Sequence, residues 1–414
     1  MLNKFQTISI LFLLILMPVW ASGQSCPDES LINRQVRASE TDAEIPFELF
    51  RHQVWLNPAC ESNGLLLVHL PGTFDNPSRT TFFPALAANH GYHALGLHYP
   101  NDISAQTVCR ESSNPDCYAD FRREIVEGSN WSPAIEINQA NSIENRLQKL
   151  LQFLAQAYPA EGWGDFLNGE EIIWGKLVIS GHSQGGGHAA FMAKDRVLAR
   201  AIMFASPNDY DAVNDAAAAW TSDSSLTADS LYYAFGNRFD DIVEFREEYL
   251  QWDALGMAAF GDTVNVLQNS PHYAGSRMLY TTEQKPGLAV NHSLMITDEQ
   301  LTLENGIPIY TPVWEYLLGV GEVINDVTEI RSDGNLKIWP NPANDVLWVD
   351  ADTNGAKRVE VRLLSVYGQV LGIAETTAEA STGLDCSKLA NGVYLVQVWQ
   401  DGQYVQGQRL IVAH

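Results

Sequence analysis

The chain has 414 residues, more than one domain commonly holds, and 46% of them are hydrophobic, so a large folded core with additional segments is expected. Its 50 acidic against 25 basic residues give a formal net charge of −25, which repels phosphate backbones and anionic membrane surfaces and excludes nucleic acid as a partner. No run of about 18 apolar residues occurs, so no stable membrane span is expected.

Met1 to Gly23 carries a lysine at position 4, an apolar stretch from Ile8 to Trp20, and the small residues Ala21-Ser22-Gly23. That is the pattern of a secretory signal peptide over residues 1–23. Export permits disulfides, and the five cysteines are read in that light. Cys109 and Cys117 bracket the polar loop CRESSNPDC, which a bridge would close, and Cys26 with Cys60 is the second candidate pair, leaving Cys386 unpaired. With no C-x-x-C spacing and no His/Cys cluster, no metal site is expected.

Residues 24–318 alternate between strand and helix signals. Phe50 to Asn57 and Leu65 to Leu70 read as two adjacent strands separated by the turn-forming Pro58 to Gly64. The loop PGTFDNP from Pro71 follows, then a short helix Phe82 to Asn89 and a strand Tyr92 to Tyr99. Residues 100–132 show no strong period and read as an excursion over the strand ends. From Asn141 to Tyr158, Ile143, Leu147, Leu150, Leu151 and Leu154 recur at helical spacing, with Asn141 or Ser142 as N-cap.

Lys176 to Ser180 is a buried-strand pattern, and Gly187 to Lys194 a helix of small residues. Ala201 to Phe204, Ser230 to Phe235 and Arg277 to Thr281 are the next strands, with a helix Ile242 to Met257 between the last two. Strands alternating with helices imply the α/β class with a mostly parallel sheet. Residues 208–230 suit a second excursion or a peripheral helix pair, and Asp209, Asp211 and Asp215 within it read as a solvated acidic face, with cation binding the alternative.

Composition changes after Leu318. Residues 319–334 are rich in small and acidic types and read as a linker, and residues 335–414 as a small all-β sandwich. Its strands are expected at Leu336 to Trp339, Val346 to Val349, Val359 to Val366, Val393 to Trp399 and Gln408 to Val412. Three phrases, Trp339-Pro340-Asn341-Pro342-Ala343, Tyr367-Gly368-Gln369 and Leu389-Ala390-Asn391-Gly392-Val393-Tyr394, resemble the C-terminal sorting domain of Bacteroidetes type IX secretion substrates. The resemblance implies the type IX secretion machinery as a partner and a location outside the cell or on its outer surface. The ending Leu410-Ile411-Val412-Ala413-His414 departs from the basic final residues common in that family.

Between the strand ending at Ser180 and the helix from Gly187 lies Gly181-His182-Ser183-Gln184-Gly185-Gly186-Gly187. Two glycines without Cβ around Ser183 are what a sharp strand-to-helix turn needs if it is to hold a hydroxyl exposed. This resembles the nucleophile elbow of the α/β-hydrolases, and implies that fold for residues 24–318 and an acid and a histidine later in the chain. A serine hydroxyl is a weak nucleophile until an imidazole takes its proton, and a carboxylate must fix the tautomer of that imidazole.

Four histidines follow Ser183: His188 on the elbow helix, His272 before the strand Arg277 to Thr281, His414 in the tail, and His292 in the loop KPGLAVNHSLM after that strand. His292 is the expected base. In Gly236-Asn237-Arg238-Phe239-Asp240-Asp241-Ile242-Val243 the family register favours Asp240 as the acid, with Asp241 the one-residue alternative. His69-Leu70-Pro71-Gly72-Thr73 resembles the family's oxyanion segment, so the backbone N–H groups of Thr73 and Gln184 are the expected oxyanion donors.

Trp131, Trp163, Trp174 and the phenylalanines near Thr73, Phe74 first among them, point to an apolar acyl site or to core. The expected activity is cofactor-free hydrolysis of a small or lipid-like carboxylic ester. The alternatives are a secreted peptidase of the same fold and a non-catalytic surface binding protein.

Overall fold

The computed structural model describes residues 26–46, 48–320, 337–350, 358–365, 370–376, 382–389, 392–400 and 403–414. The expected signal peptide, all but the first two residues of the expected linker, Tyr367-Gly368-Gln369 and Ala390-Asn391 lie outside them.

Nine strands form one sheet: β1 Ile32–Val36, β2 His52–Leu56, β3 Leu66–Leu70, β4 His93–Gly96, β5 Leu177–His182, β6 Arg200–Phe204, β7 Tyr232–Asn237, β8 Val264–Asn265 and β9 Met278–Thr281. Their order is β1-β2-β4-β3-β5-β6-β7-β9-β8, with only β2 antiparallel to its neighbours. Besides a single helical turn at Ala38–Thr41, the helices are α1 Phe82–Asn89, α2 Ala105–Cys109, α3 Cys117–Glu127, α4 Ile143–Ala157, α5 Gln184–Asp195, α6 Phe245–Ala254, α7 Val290–Ser293 and α8 Thr311–Leu318.

The pleat explains the layering. Leu66, Val68 and Leu70 of β3 point into one buried layer with Leu147, Leu150, Leu151 and Leu154 of α4 and the small face of α5. Leu67 points the other way, against Phe83 of α1 and Trp314 and Leu317 of α8. Both sheet faces are therefore covered, as a sheet of buried parallel strands requires. Helix α4 starts where Ser142 Oγ accepts the Asn145 N–H at 3.2 Å, which identifies Ser142 as the N-cap.

Several expectations are corrected. β2 and β3 are not adjacent: the crossover through α1 lays β4 beside β3, and β2 pairs with the far edge of β4. Residues 100–132, expected without a strong period, hold helices α2 and α3. The period of α3 was hidden because two polar residues, Arg122 and Glu124, are buried beside Tyr118, Phe121 and Ile125. Residues 208–230 form a hairpin, Tyr210–Asp211 with Ala216–Ala217, and short turns. Asp209 there is no solvated face but fully buried, while Asp215 pairs with Arg246 at 2.8 Å and Asp211 accepts from Val213 and Asn214 N–H groups. Strands β1 and β8 and helix α8 are additional to the elements expected from sequence.

Both expected disulfides are present, Cys26–Cys60 and Cys109–Cys117, and Cys386 is free and buried. The first spans 34 residues. Replacing Cys60 by alanine is expected to lower unfolding stability by roughly 3–4 kcal/mol, from the lost restraint on the unfolded chain. Chemical denaturation of the oxidised protein checks this, with an unchanged midpoint as the contrary result.

The C-terminal strands are β10 Lys337–Trp339, β11 Val346–Asp350, β12 Val359–Ser365, β13 Val370–Thr376, β14 Thr382–Asp385, β15 Gly392–Gln400 and β16 Gln403–Val412. They make two antiparallel sheets, β10-β11-β14 and β13-β12-β15-β16, over a cluster that includes Leu347, Val349, Leu363, Leu384, Val396 and Leu410. β13 and β14 are additional to the five strands expected. Among the described residues, no helix is long and apolar enough to cross a membrane.

Candidate active site

β5 is buried along its whole length between β3 and β6, and the chain turns sharply at its end. Ser183 takes φ 52° and ψ −120°, a strained conformation for a residue with a side chain. The turn survives because α5 folds back onto the strand ends. A Cβ at Gly185 would lie 2.1 Å from the Leu70 carbonyl oxygen, and one at Gly181 would lie 2.2 Å from the Gly185 carbonyl carbon. Any side chain at either position would push the helix off the sheet. Ser183 N–H donates to Phe204 O at 2.8 Å, anchoring the elbow to β6.

Gln184 is the first residue of α5, so its N–H has no partner within the helix and points outward at the positive end of the helix dipole. β3 and β5 run parallel with Leu70 opposite Gly181, which brings the loop after Leu70 to the elbow. A Cβ on Gly72 would sit 3.2 Å from Ser183 Cβ. Thr73 Oγ1 donates to Gln184 Oε1 at 3.1 Å, and that oxygen also accepts the Ala105 N–H at 3.0 Å.

Two residues that sequence reasoning passed over hold this loop. Tyr99 OH donates to Pro71 O at 2.7 Å, and Asn101 Nδ2 donates to Gly72 O at 2.5 Å and Asp75 O at 2.9 Å. Both lie just beyond β4, where no local motif marks them.

Asp240 and His292 come together from the ends of β7 and β9. Asp240 Oδ2 stands 2.6 Å from His292 Nδ1, while Asp240 Oδ1 accepts the N–H groups of Ile242 at 2.8 Å and Val243 at 2.9 Å. Burial works to raise the Asp240 carboxyl, but the imidazole and the two N–H groups prevail and hold it below its usual value. Asp241 plays a different part, accepting the His292 backbone N–H at 3.2 Å.

His292 sits on the short helix α7 and is not in a plain loop. Asn237 Nδ2 ties that segment to β7 by donating to Asn291 O at 2.9 Å, and His182 Nε2–H donates to His292 O at 3.0 Å. Burial, then the neighbouring His292, lowers His182 to about 3, so it stays neutral and structural. His292 Nε2 is buried and makes no hydrogen bond, and Ser183 Oγ is 3.2 Å from the Asn208 side-chain amide.

The other residues singled out from sequence lie elsewhere. His188 is buried edge-on against Tyr99, and His414 bonds Asn344 and Leu389 in connections between the C-terminal strands. The ring of Trp163 packs in the core against His93, that of Trp174 on Arg196 and that of Trp131 on Arg123. Among the described residues, no three His, Cys, Asp or Glu side chains are placed to hold a metal ion.

Residues 337–413 match the secretion system C-terminal sorting domain family. The C-terminal region is a type IX sorting domain. It marks the protein for secretion and attachment to the cell surface, through the type IX machinery. No curated protein matches the chain. Among solved structures, dimeric latent PorU from Porphyromonas gingivalis is 17% identical over 19% of this chain and 9% of that one, with a TM-score of 0.17. A candidate dienelactone hydrolase from Klebsiella pneumoniae subsp. pneumoniae MGH 78578 is 9% identical over 71% of this chain and 99% of that one, with a TM-score of 0.34.

Proposed function

We propose that this is a secreted serine hydrolase of the α/β-hydrolase fold, which cleaves carboxylic esters through an acyl-enzyme on Ser183. The observation that carries the reading is the 2.6 Å contact between Asp240 and His292 Nδ1 beside a serine held at φ 52° on a helix N-terminus.

With Nδ1–H donated to Asp240, His292 Nε2 bears the lone pair that takes the Ser183 proton as Oγ attacks the ester carbonyl carbon. The carbonyl electron pair moves to oxygen, where the Thr73 and Gln184 N–H groups meet the charge. Collapse expels the alcohol, which receives the proton from His292. Water, deprotonated by the same Nε2, then releases the acid and restores the serine.

Apolar side chains exposed beside these positions, Phe74 after Thr73, Phe239 and Ile242 around Asp240 and Leu288 before His292, favour an apolar ester over a charged peptide terminus.

The test is an alkyl fluorophosphonate followed by peptide mass analysis, with p-nitrophenyl esters of rising chain length run beside aminoacyl anilides. Adduct on the Ser183 peptide and turnover of esters are expected. Absence of adduct would overturn the hydrolase reading, and preferential anilide cleavage the ester reading.

A further inference from the structure

The loop after β6 carries a polar side chain to the nucleophile that the reaction scheme above does not use. Chain direction reverses there through Ala205, at φ 47°, and Pro207, so that the Asn208 amide reaches Ser183 Oγ at 3.2 Å. Only one orientation of that amide satisfies its surroundings. Nδ2 then donates to the carbonyls of Ala205 at 3.0 Å and Pro207 at 3.2 Å, and Oδ1 accepts from Ser183 Oγ–H. The reverse orientation would set Oδ1 against two carbonyl oxygens.

Two consequences follow from the donor inventory. Both Asn208 N–H bonds are spent on its own loop, so the residue has none for an oxyanion. What it presents to the serine is an amide oxygen, which accepts a hydrogen bond but does not take a proton at neutral pH. On the other side, His292 Nε2, the basic atom, is buried and unpartnered. The Asp–His pair is formed, and the serine hydroxyl is turned elsewhere.

We infer that Asn208 is a positioning residue that latches Ser183: in the unliganded protein it holds the hydroxyl on its amide oxygen, away from His292, until an acyl substrate occupies the site. The inference rests on the reading of Ser183 as nucleophile. Release requires the Ser183 side chain to turn, so that its hydroxyl leaves Asn208 Oδ1 for His292 Nε2, which has no partner at rest. Substrate favours that turn by excluding water from the half-buried Ser183, which strengthens the serine–histidine bond. The latch itself is rigid, because the next residue, Asp209, is fully buried and held by both Arg122 and Trp220.

Second-order rates of inactivation by a small alkyl fluorophosphonate test this in wild type, Asn208→Ala and Asn208→Leu, with circular dichroism to confirm folding. Leucine keeps the side-chain volume, so a loop collapse in the alanine variant does not decide the result. Losing a hydrogen bond of ordinary strength from the resting state is expected to speed inactivation about fivefold in the folded variants. A residue that merely braces its loop gives equal or slower inactivation in both, and that outcome overturns the latch while leaving Ser183 as nucleophile. A wild type as inert as Ser183→Ala removes the nucleophile, and the latch with it.

Discussion

Replacing Asp240 by asparagine is expected to lower kcat on an ester about 10⁴-fold with KM little changed, because the imidazole loses the acceptor that fixes its tautomer and stabilises its charged form. The carboxamide fits the same space, so the loss is chemical and not steric. Asp240 is held below its ordinary value, which keeps it ionised throughout the neutral range, and the effect should therefore not depend on pH there. Asp241→Asn is the control. Its oxygen receives the His292 backbone N–H, a bond that an amide oxygen also accepts, and a change of no more than about tenfold is expected. Steady-state kinetics of the two variants side by side check the assignment, and a larger loss at Asp241 would reverse it.

The second large effect is predicted away from the reacting atoms. Arg122 of α3 and Asp209 form an ion pair with side chains 1% exposed on each side. The guanidinium lies where a Cβ on Gly187 would stand, and Nη1 donates to Gln184 O at 3.1 Å, while Trp220 Nε1 donates to Asp209 at 2.8 Å. Arg122→Ala leaves a carboxylate buried without its cation, and a loss of about 3–5 kcal/mol is expected in denaturant unfolding.

Removing both charges together, as Arg122→Met with Asp209→Leu, is expected to restore most of that stability, since an apolar pair avoids the desolvation of two ions. The Gln184 carbonyl still loses its donor in the double variant. Because the Gln184 N–H is the proposed oxyanion donor, kcat should stay about tenfold low after stability returns. Full recovery of kcat would show that the ion pair only holds the excursion in place.

Ser183 shows why part of the site could be read without coordinates. The elbow is built from neighbours in sequence: a buried strand, glycines where Cβ atoms would collide, and a helix that begins at once. The same holds for α4, whose Leu147, Leu150, Leu151 and Leu154 repeat at helical spacing and are all buried, and for Cys109 with Cys117, which close a short loop. His292 stands out by elimination among the four histidines that follow Ser183, through its place after the strand Arg277 to Thr281, and the structure brings its ring against Asp240.

Contacts between distant segments were another matter. Asp240 and Asp241 are adjacent on the chain, and only the packing of α7 against the end of β7 decides that one meets the ring and the other the backbone. Asn101, Asn208 and Arg122 carry no local pattern, since each acts through a loop or helix far away in sequence. Arg122 and Glu124 even disguised α3, because a buried charge with partners looks like a surface residue until the partners are seen. Sequence by itself determined the serine elbow, the small loop bracketed by Cys109 and Cys117, the alternation of strand and helix and the sorting tail, all of which rest on short-range stereochemistry or on a motif. Tertiary structure alone decided strand order, which aspartate meets the His292 ring and which its backbone, and the hydrogen-bond partner of Ser183, because those depend on which groups long-range packing brings within hydrogen-bonding distance.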